Sequence, residues 1–222
     1  MKAIRVHSFG GIDAMALEDV PIPVPGLGQV LVRVSAAGVG PWDAWVRSGH
    51  SVLPQPLPLT PGADLSGVVE AIGPDVSAFD VGDAVFGATN PRFTGAYAEF
   101  ALAEAAMIAR KPEVLSHVQA ASVPVVGCTA WQMLFEHGDV KPGLRVVVLG
   151  GGGNVGSYAV QLAAFVGAQV IATGRAGDLD RIKTLGASEA IGSDEQIPAR
   201  LVAQADLVID TVGGAPLLGA LD

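Results

Sequence analysis

The first half of the chain carries short apolar runs separated by Gly and Pro. These runs are typical of β-strands and occupy residues 3–7, 30–34, 65–72 and 95–102. The proline-rich stretches 21–25 and 54–61 lose backbone donors and therefore predict irregular connections. The pattern predicts a compact, irregular β-rich domain over residues 1–115.

The pattern changes at residue 116. Ser116 is a candidate N-cap ahead of good helix formers, and a second helical run over residues 129–137 ends at Gly138, which suits a C-terminal cap. Apolar strands and helices then alternate. We predict strands at 145–149, 169–173, 190–191 and 206–210, and helices at 153–166, 178–185 (with Asp178 as its cap) and 195–203. This alternation predicts a doubly wound parallel sheet, and so an α/β domain over residues 116–222.

A glycine-rich turn follows the first strand of this α/β domain. It contains G-x-G-x-x-G at Gly151, Gly153 and Gly156, between an apolar strand and a helix. Such a turn lets the backbone approach a pyrophosphate, and the following helix offers free N–H groups and the positive end of its dipole. The turn therefore indicates a dinucleotide site. A flexible turn without a ligand is the alternative.

The end of the second strand bears on which dinucleotide binds. In NAD-binding domains an acidic side chain there accepts hydrogen bonds from the adenosine ribose 2′-OH, whereas this chain has Thr173, Gly174 and Arg175. Arg175 can pair with a 2′-phosphate in a charge-assisted way, which favours NADP(H). In the alternative interpretation, Arg175 is a solvated loop residue and Asp178 binds the ribose.

Composition narrows the remaining classes of protein. The formal net charge of -9 disfavours nucleic acid or an anionic membrane as a partner. No apolar stretch approaches the roughly 20 residues of a membrane span, and the first residues lack the pattern of a secretory signal, so we expect a cytoplasmic protein. Cys128 is the single cysteine, which excludes an intrachain disulfide and a zinc site built from several cysteines.

A series of motifs extends along nearly the whole chain. In order they are Ala37-Gly-Val-Gly-Pro-Trp-Asp43, Thr60-Pro-Gly-Ala-Asp64, Val81-Gly-Asp-Ala-Val-Phe86, Gly95-Ala-Tyr-Ala-Glu99, Cys128-Thr-Ala-Trp131, the glycine turn, Leu185-Gly-Ala187 and Asp210-Thr-Val-Gly213. They resemble the medium-chain dehydrogenase/reductase superfamily, specifically its zinc-independent, zeta-crystallin-like quinone oxidoreductase branch. The resemblance implies a GroES-like N-terminal domain, a Rossmann domain and an oxidoreductase that transfers hydride from NADPH. It also implies a small quinone or α,β-unsaturated carbonyl compound as substrate.

The resemblance and the residue patterns together define a set of candidate site residues. Cofactor contacts are expected at Thr129, Gly151, Gly153, Asn154, Val155, Gly156, Thr173, Gly174, Arg175, Ser193, Val212 and Gly213, and the substrate pocket at Gly40, Trp42 and Trp45. By resemblance, Thr129 lies near the nicotinamide, although a helix N-cap is its plain alternative. Trp42 and Trp45 form either an apolar wall for a flat ring or part of the core.

Some positions depart from the resembled family. Gly40 stands where many quinone oxidoreductases have Asn, Trp45 where they have Tyr, and Ser193 where a Tyr is often found near the 2′-phosphate. Asp43 is a weak catalytic candidate as proton donor. We favour the alternative that its carboxylate fixes the loop by accepting backbone N–H bonds.

Zinc is not expected. Catalytic zinc needs about three protein ligands in one place. Zinc-bearing relatives have a Cys where this chain has Gly40 and a His-Glu pair where it has Ala63-Asp64, so those ligands are missing here. The histidines are scattered singly, so we expect them to be surface or capping residues; they are His7, His50, His117 and His137.

Rival functions are an alcohol dehydrogenase or enoyl-thioester reductase of the same architecture, and an NADPH-binding protein without turnover.

The predicted sheet is incomplete at its C-terminus. A Rossmann sheet has six strands, and four are predicted here, so we expect strands five and six beyond Asp222. We also expect a homodimer for the longer protein. The 222 residues alone would leave an apolar edge strand unpaired, which favours aggregation.

Overall fold

The structure is a computed structural model that describes residues 1–193 and 204–213. It divides into two compact units, Met1–Val125 and Val126–Asp222. The predicted boundary followed residue 115, whereas the structure places residues 116–125 in the first unit. The helix His117–Ala121 accounts for the difference, because it packs on strands of the first unit.

The first unit is β-rich, as its short apolar runs predicted, and its strands pair antiparallel. Its elements are β1 (Lys2–Val6), β2 (Met15–Asp19), β3 (Gln29–Ala37), α1 (Pro41–Ser48), β4 (Asp64–Ile72), β5 (Ala84–Ala88), β6 (Phe100–Glu104), β7 (Ile108–Arg110) and α2 (His117–Ala121), with 3₁₀ turns at Ile12–Ala14 and Ala105–Met107. Strands β1 and β2 pair as a hairpin, and the five-stranded sheet has the order β6-β3-β4-β5-β7. Val30, Val32 and Leu65 are fully buried in its core.

The last predicted strand of this unit starts later than expected. Strand β6 begins at Phe100, whereas the pattern predicted a strand from residue 95. The backbone N–H groups of Gly95, Ala96 and Tyr97 instead donate to carbonyls of the segment 60–62. Pairing with a distant loop therefore replaces regular strand pairing over these residues.

The second unit contains a parallel sheet. Helix α3 (Pro124–Trp131) spans the boundary between the two units. After it come a π-helical segment at Gln132–His137, β8 (Arg145–Leu149), α4 (Asn154–Phe165), β9 (Gln169–Gly174), a 3₁₀ turn at Ala176–Asp178, α5 (Leu179–Thr184), β10 (Glu189–Gly192) and β11 (Leu207–Asp210). The described strands are all parallel, in the order β10-β9-β8-β11. Strand β8 is buried on both faces, because Val146 and Val148 join one core cluster while Val147 and Leu149 join another. This explains why its sequence is an uninterrupted apolar run.

Two helix predictions require correction. The helix predicted from residue 129 begins at Pro124, so Thr129 lies inside α3 and its interpretation as an N-cap was wrong. The last six residues before Gly138 form a π-helix, and Gly138 has φ of −91°, outside the left-handed region of a glycine cap. A glycine is needed there for space, since an added Cβ would lie 2.6 Å from Leu207 Cδ2.

Helix α5 begins where the pattern predicted, but Asp178 makes no side-chain capping bond. The helix predicted at residues 195–203 and the final residues up to Asp222 lie outside the described residues. None of the described helices is long and apolar enough to cross a membrane.

Candidate functional site

The glycine turn joins β8 to α4 at the carboxyl end of the parallel sheet. Gly153 is the N-cap of α4 and makes no side-chain capping bond, so the N–H groups of the first helical turn remain available to a ligand. Close approach within the turn requires Gly156, because a Cβ there would lie 2.1 Å from the Gly150 carbonyl oxygen. An uncapped helix behind a tight glycine turn suits the pyrophosphate of a dinucleotide.

Two threonines hold this turn in place. The Gly150 N–H donates to Thr173 Oγ1 at 3.0 Å, and Thr211 Oγ1 donates to the Leu149 carbonyl oxygen at 2.7 Å. Thr173 is only 6% exposed, so its side chain positions the turn from beneath. Sequence reasoning missed Thr211, although it belongs to the quoted motif at residues 210–213.

The end of β9 brings together three of the predicted cofactor residues. Gly174 closes the strand, Arg175 follows it with an exposed side chain, and the Ser193 N–H donates to the Gly174 carbonyl oxygen at 2.7 Å. This hydrogen bond places Ser193 beside the end of β9, and its contact with a ribose 2′ group stays a prediction.

A charged pair that sequence reasoning did not recognise lies beside this strand end. Arg181 donates through Nη2 to the Gly152 carbonyl oxygen, and the same nitrogen lies 3.5 Å from Asp178 Oδ1. The usable signal was their spacing of three residues, which places the side chain of the N-cap residue Asp178 on the same side as that of Arg181 in α5.

The end of β11 carries the predicted residues Val212 and Gly213. The Asp210 carboxylate accepts the N–H groups of both at 3.0 Å and so fixes the loop that follows the strand. Val212 is 60% exposed. Thr129, the remaining predicted cofactor residue, is carried by α3.

The substrate-side residues cluster at the start of α1 in the first unit. Asp43 is 5% exposed, and its Oδ2 accepts the Gly40 N–H at 2.7 Å and the Tyr97 hydroxyl at 2.9 Å. This is the loop-fixing arrangement favoured from the sequence. Burial raises the pKa of Asp43, while these two hydrogen bonds act in the lowering direction. Burial and the Asp43 carboxylate both raise the pKa of Tyr97.

The two tryptophans have different environments. Trp42 is partly buried, and its ring centroid lies 6.5 Å from that of Phe93. Trp45 is 58% exposed, so the alternative that it is a core residue was wrong. Its exposed ring is free to contact a ligand.

Asp64 is a second buried carboxylate that the sequence did not single out as functional. It is 4% exposed, and its Oδ1 accepts the Val125 N–H at 2.8 Å, at the beginning of α3. Burial raises the pKa of Asp64 to about 6, with the Val125 N–H opposing this effect and the charge of Asp43 adding to it. The carboxylate thus anchors the start of the helix that carries Thr129.

The histidines do not converge. His7, His50 and His137 are exposed, whereas His117 is partly buried with Nδ1 2.8 Å from Ser66 Oγ. Within the described ranges, no group of three or more His, Cys, Asp or Glu side chains is arranged to hold a metal ion.

The fold and the glycine turn define the class: a chain with a GroES-like first unit and a Rossmann-type second unit. The GroES-like domain of alcohol dehydrogenases matches residues 26–113. Human quinone oxidoreductase is 40% identical over 174 residues, which cover 78% of this chain and 52% of that protein. The chain spans about half the length of the curated relatives it matches.

Solved structures give the same relationship over more of the chain. The quinone oxidoreductase from Coxiella burnetii has a TM-score of 0.86 at 38% identity, covering 97% of this chain and 70% of that chain. A mycobacterial protein complexed with NADPH has a TM-score of 0.86 at 34% identity, covering 100% and 70%. The chain belongs to the medium-chain dehydrogenase/reductase superfamily, in its quinone oxidoreductase branch, which confirms the resemblance in the sequence.

Proposed function

We propose that this protein is an oxidoreductase that uses NADPH to reduce a small quinone or α,β-unsaturated carbonyl compound without zinc. The observation that carries the proposal is the tight glycine turn ahead of an uncapped helix, at the carboxyl end of a parallel sheet. The family membership and the NADPH complex of the mycobacterial relative support it.

The cofactor residues have distinct proposed roles. The N–H groups of Asn154, Val155 and Gly156 hold the pyrophosphate, while Thr173 keeps the turn in position from below. Arg175 pairs with the 2′-phosphate, and Val212-Gly213 and Thr129 lie along the nicotinamide half.

When bound, NADPH supplies hydride to the acceptor, so few catalytic side chains are required of the protein. The protein must orient the acceptor and keep water away from it. Trp45 offers an exposed flat surface for a ring, and we propose a positioning role for Asp43, because its Oδ2 is already engaged by Gly40 and Tyr97.

Consumption of NADPH with a panel of quinones and enones tests the reaction. Tight NADPH binding without consumption by any acceptor would instead identify a non-catalytic binding protein.

NADPH is expected to bind at least about tenfold more tightly than NADH, a difference of about 1.4 kcal/mol. The reason is that Arg175 follows β9, at a position where an acidic residue would favour the free ribose. Fluorescence titration of both cofactors measures the difference, and Arg175→Ala should reduce it. Equal affinities in the unmodified protein, or an unchanged preference in the variant, would contradict the assignment.

Activity is expected to be unchanged by chelators, and the purified protein should contain no stoichiometric zinc. Gly40 and Ala63 cannot supply the ligands that catalytic zinc requires. Elemental analysis, together with an assay before and after EDTA treatment, checks this. One zinc per chain, or activity that EDTA removes and zinc restores, would refute the zinc-free proposal.

A further inference from the structure

Asp178 and Arg181 form a charged pair directly beside the glycine turn. A Cβ added at Gly152 would lie 2.7 Å from Asp178 Oδ2, so the carboxylate is in contact with the turn backbone. Arg181 reaches from α5 to the Gly152 carbonyl oxygen and lies 3.5 Å from Asp178 Oδ1. The pair therefore connects α5 to the segment that is proposed to hold the pyrophosphate.

The same pair adjoins the end of β9, where cofactor selectivity is decided in Rossmann domains. A Cβ added at Gly174 would lie 3.5 Å from Asp178 Cβ and 3.7 Å from the Gly152 nitrogen. Asp178 also stands 22 positions after Gly156, close to the usual spacing of the acidic residue that accepts the ribose 2′-OH. The strand end thus carries opposed charges, with Arg175 exposed and Asp178 packed against the turn.

We propose that Asp178 and Arg181 together set the preference between NADPH and NADH, a role that rests on the proposed dinucleotide function. Asp178 restrains NADPH binding, because its carboxylate repels a 2′-phosphate and accepts a hydrogen bond from a free 2′-hydroxyl. Arg181 offsets this charge and so permits the phosphate to bind. The preference is accordingly the balance of three side chains, and Arg175 is only one of them.

Exposure limits the size of the effect. The side chains of Arg181 and Asp178 are 49% and 32% exposed, so solvent screens their charges. We therefore expect changes in cofactor preference of about tenfold, and not of several orders of magnitude, from a single substitution.

The first test is Asp178→Asn, with NADPH and NADH titrated separately by fluorescence. The ratio of the NADH to the NADPH dissociation constant should rise at least about tenfold, because repulsion of the phosphate is removed and the best acceptor for the hydroxyl is lost. Asp180→Asn is the matched control, since it removes the same charge from an exposed position two residues further along, in the first turn of α5. It should change the ratio by less than about twofold.

The second test shows whether Arg181 acts through Asp178. Arg181→Gln should lower the ratio at least about threefold in the unmodified protein, and it should have no effect on the ratio when Asp178→Asn is also present. Circular dichroism of each variant verifies that the second unit is folded.

The outcomes separate this inference from the proposed function. If both cofactors bind and Asp178→Asn leaves their ratio unchanged, the selectivity role is refuted while the dinucleotide site stands. If Asp178→Asn or Arg181→Gln weakens the binding of both cofactors equally, the pair has a purely structural role in holding Gly152, and the selectivity role is likewise refuted. If the unmodified protein binds neither cofactor, the proposed function fails and this inference fails with it.

Discussion

Replacing Gly153 by valine should lower the affinity for NADPH at least about a hundredfold, or about 2.7 kcal/mol, in a chain that remains folded. The backbone of Gly153 has φ of −79° and ψ of 175°, which valine adopts without strain. An added Cβ would meet only the Gly150 carbonyl oxygen, at 3.3 Å, and otherwise faces open space. Side-chain bulk there would occupy the space that the pyrophosphate needs beside the uncapped helix.

Gly11→Val is the matched control for this experiment. Gly11 has similar backbone angles, φ of −72° and ψ of −165°, also precedes a helical turn, and has no atom within 4 Å of an added Cβ. Each variant should lose about 1 kcal/mol of stability at most, from the less favourable capping residue. Titration calorimetry with NADPH and thermal melts of both variants make the comparison. Unchanged NADPH affinity in the Gly153 variant would remove the main support for the cofactor site.

Replacing Asp64 by asparagine should stabilise the protein relative to the unmodified chain, and this stabilisation should be larger at pH 8 than at pH 4. Burial raises the pKa of Asp64 from 3.8 to about 6, which means that the folded state holds the ionised carboxylate at a cost. At 1.36 kcal/mol per pKa unit, this cost amounts to about 3 kcal/mol at neutral pH. Asparagine keeps an oxygen for the Val125 N–H but carries no charge.

The direction of the effect follows from proton linkage. Between about pH 4 and pH 6 the folded chain binds more protons at Asp64 than the unfolded chain does, so this group's contribution is fully present below pH 4 and is lost as the pH rises through about 6. The stability difference between the asparagine variant and the unmodified chain should therefore grow across this interval and level off above it. Urea unfolding at several pH values measures the difference. A difference that does not vary with pH would show that Asp64 is not held with a raised pKa.

Much of the fold could be predicted because its signals are local in the sequence. The apolar run of β8 shows a strand buried on both faces, and the glycines that follow show a tight turn before a helix. Ser116 accepts the Gln119 N–H and Gln119 accepts the Ser116 N–H, so the start of α2 is encoded within four residues. The strand ends that bear Arg175 and Val212 follow from the same alternation of strands and helices.

Other features depended on partners that no local pattern identifies. The start of α3 was misplaced because the Val125 N–H in its first turn donates to the side chain of Asp64, which is 61 residues away. Likewise, Arg181 binds the carbonyl of Gly152, 29 residues earlier in the chain.

The sequence by itself determined the class of fold, the order of strands and helices, and the glycine turn of the candidate cofactor site, because periodicity and turn residues act between near neighbours. Only the tertiary structure decided which carboxylates are buried and which charges are paired. Asp64 has a raised pKa, and Asp178 lies against the turn beside Arg181, because folding brings distant segments together and removes water from around them.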